Sequence, residues 1–205
     1  YGGDPAGFGL PAVGLRPEAG TGLINRRMTG NLPEGARQRP AIHITRIWDA
    51  ILTGKQGGYP ADISMAYITN GNPVNQFMNT NKAVQALKKL DSIVIHEQFM
   101  TPTARYADIV LPVNTQFERN DIIRPWQGGP YCIYMKKAVE PLRETKSDLE
   151  ICMGLAKKLG IERYSDFTEE EWLKNFWNAA QDMTDSKPLP DYKKKKKEGV
   201  HKIPV

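Results

Sequence analysis

The residues of this chain able to do chemistry are polar side chains placed just after apolar runs. Asn70, Gly71 and Asn72 follow "ISMAYIT", His96 and Glu97 close "DSIVIHE", Arg119 stands in "FERND", and Asp148 opens "DLEICMGLAKKLG". Gly71 lets the backbone turn through positive φ or pass close to a ligand. Asn72 can donate and accept hydrogen bonds from a turn. A carboxylate such as Glu97, after a strand, can take the two hydroxyls of a ribose, as the acidic residue of dinucleotide folds does. Arg119 offers a planar fork of donors to a phosphate or a base edge. Asp148, at a helix start, is favoured by the helix dipole and can receive the N1 and N2 hydrogens of a guanine. Each residue also has a purely structural use. Asn72 can shape an Asn-Pro turn, Glu97 can be a solvated strand end, and Asp148 can simply improve a helix start. Arg119 can form surface ion pairs with Glu118 and Asp121, worth at most ~1 kcal/mol.

Other chemistries find little support. His43, His96 and His201 are isolated in the sequence, which argues against a histidine-based catalytic set. No GxGxxG, Walker or GxSxG motif is present. Cys132 and Cys152 stand alone without a CxxC spacing, so two buried thiols are expected rather than a zinc or iron–sulfur site. The residues therefore point to a nucleotide-type rim without a catalytic centre and without metal ligands of its own.

A β-α-β-α-β pattern positions this rim. "IHITRIWDAIL" has Ile44, Ile47, Trp48 and Ile51 at helical spacing, and "ISMAYIT" reads as a short strand. "TNKAVQALKKL" repeats at Ala83, Val84, Leu87 and Leu90, predicting a helix from near Thr80. "DSIVIHEQ" is a second strand. "FMTPTARYA" is a turn of helix capped by Thr101 with Pro102 at its first position. "ADIVLP" is a third strand stopped by Pro112. Short connections of this kind favour parallel strands, and in open parallel sheets ligands bind outside the strands' carboxyl ends.

Further along, "YCIYMKKAV" alternates as another strand. Ser147 with Glu150, and Thr168 with Glu171, form two capping boxes. The helix after Ser147 has an expected apolar face of Leu149, Cys152, Leu155 and Leu159, closed by Gly160. Trp172, Phe176 and Trp177 read as packing. The fold class is α/β, with divisions at 1–40, 41–165 and 166–205, the last a helical or linker tail. Residues 1–40 carry nine Gly and five Pro. So long a stretch with little periodicity is expected to be irregular, lying over a surface or a neighbouring part.

Composition is that of a soluble globular protein, with 40% hydrophobic and 25% charged residues. No apolar run approaches the roughly 18–20 residues needed to span a bilayer. Five of the 28 basic residues behind the net charge of +5 form the run Lys193 to Lys197. It reads as a solvated helix or linker, not as a basic face for nucleic acid. "YGGDPAGFGL" has no initiator Met and no features of a signal peptide. A piece of a longer polypeptide is expected.

"YITNGNPVNQ", "LDSIVIHEQFMTPTARYADIVLPVNTQFERNDI" and "AVEPLRETKSDLEICMGLAKKLG" together resemble the large catalytic subunits of the DMSO reductase family. These are molybdenum or tungsten enzymes that carry bis-molybdopterin guanine dinucleotide. The resemblance is strong from Ile42 to Gly160 and looser through "TEEEWL" and the lysine-rich tail. It implies a Rossmann-like half domain with helices on both faces, whose other half lies elsewhere in the polypeptide. It implies that Asn70, Gly71, Asn72, His96, Glu97, Arg119 and Asp148 hold the guanosine end of one dinucleotide. The family often carries Ser-Asp where this chain has His96 and Glu97. The metal ligand and any iron–sulfur cluster would belong to other parts of the chain, leaving these residues inactive alone. "FERNDI" is most similar to the S-oxide and N-oxide reductases of the family. Related members acting on polysulfide, arsenic oxyanions, nitrate, formate or acetylene are the alternatives. The resemblance implies an iron–sulfur electron-transfer subunit and a membrane anchor in the periplasm or outside the membrane, with the cytoplasm as the alternative. A non-catalytic α/β binding or interaction module that has lost the cofactor is the competing reading.

Overall fold

The computed structural model describes residues 42–123, 131–161, 164–165, 167–181 and 190–202. The irregular segment expected over residues 1–40 lies outside them. The described residues form two compact units: one of 42–114 with 142–152, the other of 115–123, 131–141 and those from 153 onward.

The first unit is built on a parallel sheet. A 3-10 turn (Ile44–Arg46) leads into helix α1 (Ile47–Thr53), then strand β1 (Met65–Ile68). Helices α2 (Pro73–Gln76) and α3 (Thr80–Lys89) connect β1 to β2 (Ser92–Glu97), and β3 (Ile109–Pro112) follows. The order is β1-β2-β3, both pairs parallel, with Ile68 opposite Ile95 and Glu97 opposite Pro112. The central strand is buried along its middle four residues, which is why "IVI" reads as a continuous apolar run. Pro112 ends β3 inside the strand rather than after it. On the outer strand of this sheet its missing N–H removes no ladder bond.

One face of the sheet packs against α1 and α3. Ala66, Ile68 and Ile93 join Trp48, Ile51, Ala83 and Leu87 in one core cluster. Burial of each large side chain there contributes roughly 1.5–3 kcal/mol. Asn79 caps α3, its Oδ1 accepting from Lys82 N at 3.0 Å. At the other end of α3, Lys89 Nζ donates to the carbonyls of Ile51 and Leu52 at 3.1 and 2.8 Å. Those carbonyls belong to the last turn of α1, where they have no partner within the helix. The second connection holds only a 3-10 turn (Ala104–Tyr106), whose first N–H is taken by Thr101 Oγ1 at 3.2 Å.

After β3, Val113 bridges in parallel to Lys146, and helix α4 (Asp148–Lys158) begins. Its capping box forms as the sequence predicts: Ser147 N donates to Glu150 Oε2 at 2.8 Å, and Glu150 N to Ser147 Oγ at 3.2 Å. The expected apolar face is corrected. Leu155 and Leu159 are 40% and 65% exposed, while Ala156 is buried. The inward stripe turns through Leu149, Cys152 and Ala156, one step round the helix from the leucines.

In the second unit, strands β4 (Asp121–Ile123), β5 (Tyr131–Met135) and β6 (Val200–Lys202) form an antiparallel sheet. Helices α5 (Glu169–Gln181) and α6 (Tyr192–Glu198) supply Leu173, Trp177 and Tyr192 to a core around Tyr134. The second capping box forms at Thr168 and Glu171. The lysine run is not simply solvated. It makes α6, and Lys195 is fully buried, its Nζ donating to Gly199 O at 2.8 Å and lying 5.5 Å over the Trp177 ring. Tyr192 and Lys195 share the inward face at helical spacing, and the lysine stem is itself apolar. No described helix is long and apolar enough to cross a membrane.

Candidate functional site

Parallel pairing places the carboxyl ends of β1, β2 and β3 along one edge of the first unit. Asn70, Gly71 and Asn72 leave β1 there, and His96 and Glu97 are the last two residues of β2. Asp148 is brought to the same edge by the chain's return beside β3. Asn114 N donates to Lys146 O at 3.0 Å and Lys146 N to Pro112 O at 3.3 Å, so the capping box starts α4 next to the strand ends.

His96 stands behind this rim, not on it. Its side chain is 0% exposed, against 46% for Asp148. Nδ1 lies 2.7 Å from Asp148 Oδ1, and Nε2 lies 2.6 Å from the Tyr67 hydroxyl. Tyr67 and His96 sit on the sheet face opposite α1 and α3, because side chains alternate along each strand. Burial raises Tyr67 above the usual tyrosine range, with Cys152 and Asp148 adding to the effect. Its hydroxyl is the donor to Nε2 in the tautomer that carries the ring proton on Nδ1. Nδ1 then donates to the Asp148 carboxylate, satisfying every partner in the chain of three.

A second set of bonds fixes the turn after β1. Asn72 Oδ1 accepts from Thr103 Oγ1 at 2.6 Å and from Thr103 N at 3.2 Å, while Thr103 Oγ1 accepts from Val74 N at 3.0 Å. Thr103 is completely buried. The carboxamide oxygen of Asn72 is thus turned toward the β2–β3 connection. Positive φ falls on Asn70, at 53°, and not on Gly71. Asn tolerates this region because its short polar side chain bonds locally. A Cβ on Gly71 would meet Gln76 Oε1 at 3.7 Å and Pro73 Cδ and Thr69 O at 3.9 Å, ordinary contacts, so the glycine is not demanded by packing and presents bare backbone at the rim. Glu97 Oε1 accepts from Gln98 N at 2.8 Å and Oε2 from Thr101 Oγ1 at 3.2 Å, which orients the carboxylate and leaves each oxygen a free lone pair.

The structure therefore gathers Asn70, Gly71, Asn72, His96, Glu97 and Asp148 at one edge. Arg119 belongs to the other unit, where its Nε and Nη2 donate to Asp121 Oδ2 at 3.3 and 3.2 Å. Among the described residues no group of His, Cys, Asp and Glu is arranged to hold a metal ion.

Residues 15–158 match the family model described as molybdopterin oxidoreductase. The chain belongs to the molybdopterin oxidoreductase family. Within that family it is 40% identical over 153 residues to the trimethylamine-N-oxide reductase of Haemophilus influenzae, covering 69% of this chain and 18% of that protein. It is 38% identical over 162 residues to the dimethyl sulfoxide/trimethylamine N-oxide reductase of Rhodobacter capsulatus, covering 74% and 19%. Among solved structures, acetylene hydratase from Pelobacter acetylenicus is similar with a TM-score of 0.62 and 25% identity, over 79% of this chain and 21% of that one. These relatives place it with the DMSO reductase family. This molybdopterin oxidoreductase chain spans about a fifth of the length of the curated relatives it matches.

Sequence reasoning missed two residues that build the rim of this family member, Tyr67 and Thr103. Tyr67 carries a trace in the sequence, since it alternates with Met65 on one strand face. Its pairing with His96 depends on the β1–β2 register, which "MAYI" and "IVIHE" do not reveal.

Proposed function

We propose that this rim holds the guanosine end of a molybdopterin guanine dinucleotide, in a molybdenum or tungsten reductase of S-oxides or N-oxides. The observation that carries the proposal is Asp148. Its carboxylate is half exposed, sits at a helix start, and is gripped from behind by a buried imidazole. Such a group presents paired acceptor lone pairs, which suit the adjacent N1 and N2 hydrogens of guanine. Glu97 is placed to accept from ribose hydroxyls, and Gly71, with no side chain, lets a ligand approach its backbone. Asn70 and Asn72 shape the turn between them. Arg119 is kept as a donor to phosphate or base on its "FER" motif alone.

When bound, the cofactor supplies the two-electron metal chemistry that takes an oxygen atom from the substrate. The residues here bind and orient it. Two relatives reduce, by name, trimethylamine N-oxide or dimethyl sulfoxide, which supports the substrate class. The parallel sheet is then the Rossmann-like half of a larger α/β domain. The metal ligand and an iron–sulfur cluster lie in the rest of the polypeptide, an iron–sulfur subunit and membrane anchor are its partners, and the enzyme works outside the cytoplasm.

The test uses the complete polypeptide that contains this chain. Asp148→Asn and Glu97→Gln should each lower bound molybdenum and acid-released guanine nucleotide. The larger fall, ~10-fold, belongs to Asp148→Asn, which loses a charge-assisted acceptor. Unchanged metal and guanine content in Asp148→Asn rejects the site.

A further inference from the structure

We infer that Tyr67 and His96 are positioning residues that hold the Asp148 carboxylate in one orientation and thereby make it selective for guanine over adenine. The inference rests on the proposed function. It concerns the two side chains that stand behind the Asp148 carboxylate.

The imidazole of His96 is fully buried and bonded at both nitrogens, at 2.6 and 2.7 Å. The two nitrogens point away from each other, so the ring links the Tyr67 hydroxyl on one side to Asp148 on the other. Tyr67 packs edge-on against that ring, centroids 5.2 Å apart and planes at 68°. Three elements therefore fix one carboxylate: β1 through Tyr67, β2 through His96 and α4 through the backbone of Asp148. A half-exposed aspartate without such a partner samples several rotamers. Here Oδ1 is held from behind, which leaves Oδ2 and the second lone pair of Oδ1 facing the rim as an acceptor pair.

An acceptor pair reads one base edge. Guanine presents two adjacent N–H donors. Adenine presents an unprotonated ring nitrogen beside its amino group, and that nitrogen's lone pair would face a carboxylate oxygen. A site built to bond a donor discriminates strongly against a ligand that lacks it. A carboxylate free to rotate can present a single oxygen to the adenine amino group, and so loses part of that discrimination.

The experiment uses the complete polypeptide in its apo form, with GMP and AMP as probes in calorimetric titrations, and the same protein loaded with the molybdenum cofactor. The variants are Tyr67→Phe, His96→Leu, Asp148→Asn and the double variant His96→Leu/Asp148→Asn. Wild type should prefer GMP. His96→Leu should weaken GMP ~10-fold with less effect on AMP, and Tyr67→Phe ~3-fold, the sizes expected for one charge-assisted and one neutral hydrogen bond. In the Asp148→Asn background, His96→Leu should have no further effect on GMP, since His96 acts only through that carboxylate. The gain in Tm on cofactor loading should shrink in His96→Leu and Tyr67→Phe, as weaker binding demands.

A merely structural role predicts otherwise: apo and loaded Tm fall together and the GMP to AMP ratio stays put. That result overturns the inference, as does an equal loss from His96→Leu in both backgrounds or a wild type that binds both probes alike. Should His96→Leu fail to fold, Tyr67→Phe, which keeps the imidazole, decides alone. If Asp148→Asn keeps cofactor and GMP, the proposed function itself falls. If it loses them while Tyr67→Phe and His96→Leu do not, only the positioning role falls.

Discussion

Thr103→Val is the sharpest available perturbation of the rim that leaves every proposed ligand contact in place. The hydroxyl of Thr103 is fully buried, donates to Asn72 Oδ1 at 2.6 Å and accepts from Val74 N at 3.0 Å. Valine keeps the shape and removes both bonds. The N–H of Val74, itself a buried residue, then has no acceptor, at a cost of about 1–3 kcal/mol, and the lost hydroxyl–carboxamide bond adds about 1 kcal/mol. Asn72 keeps its bond from Thr103 N at 3.2 Å, which limits the damage. The expected loss is about 2–4 kcal/mol, read as a lower urea midpoint at unchanged slope. Thr103→Ser, which retains the hydroxyl, should lose no more than about 1 kcal/mol. A Thr103→Val protein within ~0.5 kcal/mol of wild type would refute the reasoning, because the Val74 N–H would then have to be satisfied by something other than Thr103.

Gly71→Ala should leave urea stability unchanged or raise it by up to ~1 kcal/mol, because its φ is not positive and the added Cβ meets only ordinary contacts. In the complete polypeptide the same change should lower molybdenum content if the backbone there lies against the nucleotide. Asn79→Ala should cost about 1–2 kcal/mol in thermal melts, losing the cap on Lys82 N and placing alanine at a φ of 64°. Ser147→Ala should cost ~1 kcal/mol through the N–H of Glu150. The acid side of the stability profile should carry a contribution from Glu170. Burial opposes its charge, but the hydrogen bond and charge of Lys196, 2.6 Å away, together with tyrosine hydrogen bonds such as that from the Tyr134 hydroxyl at 3.2 Å, hold its carboxyl below the usual range. A carboxylate with a depressed native pKa stabilises above its unfolded pKa, and that stability is lost as pH falls through the native value. Glu170→Gln should flatten the profile over that acid range, and an unaltered slope would count against the pair.

Local rules carried much of the fold. Both capping boxes, the start of α3 and the three strands of the parallel sheet follow from spacing, propensity and punctuation that act within a few residues. What failed was long-range. The apolar stripe of α4 was misplaced by one step because its leucines are the larger residues, yet Ala156 faces inward. The lysine run looked solvated because charge says nothing of which face a neighbouring sheet will cover. At the site, Asp148 and Glu97 were legible as carboxylates at element ends. The buried role of His96 was not, since it needs Tyr67 and Asp148 delivered by two other elements. Of the two uses open to Gly71, a positive-φ turn or close approach to a ligand, the first falls to Asn70.

Strand β6 pairs with β5 across a sequence gap on the order of seventy residues, with Cys132 opposite His201. A polypeptide made from its amino end cannot close this sheet until Lys202 has cleared the ribosome, long after β5 has emerged. Until then one side of β5 offers unpaired backbone groups to any extended chain nearby. A premature stop in the intervening stretch would therefore do more than shorten the molecule: it would leave that edge permanently unpaired.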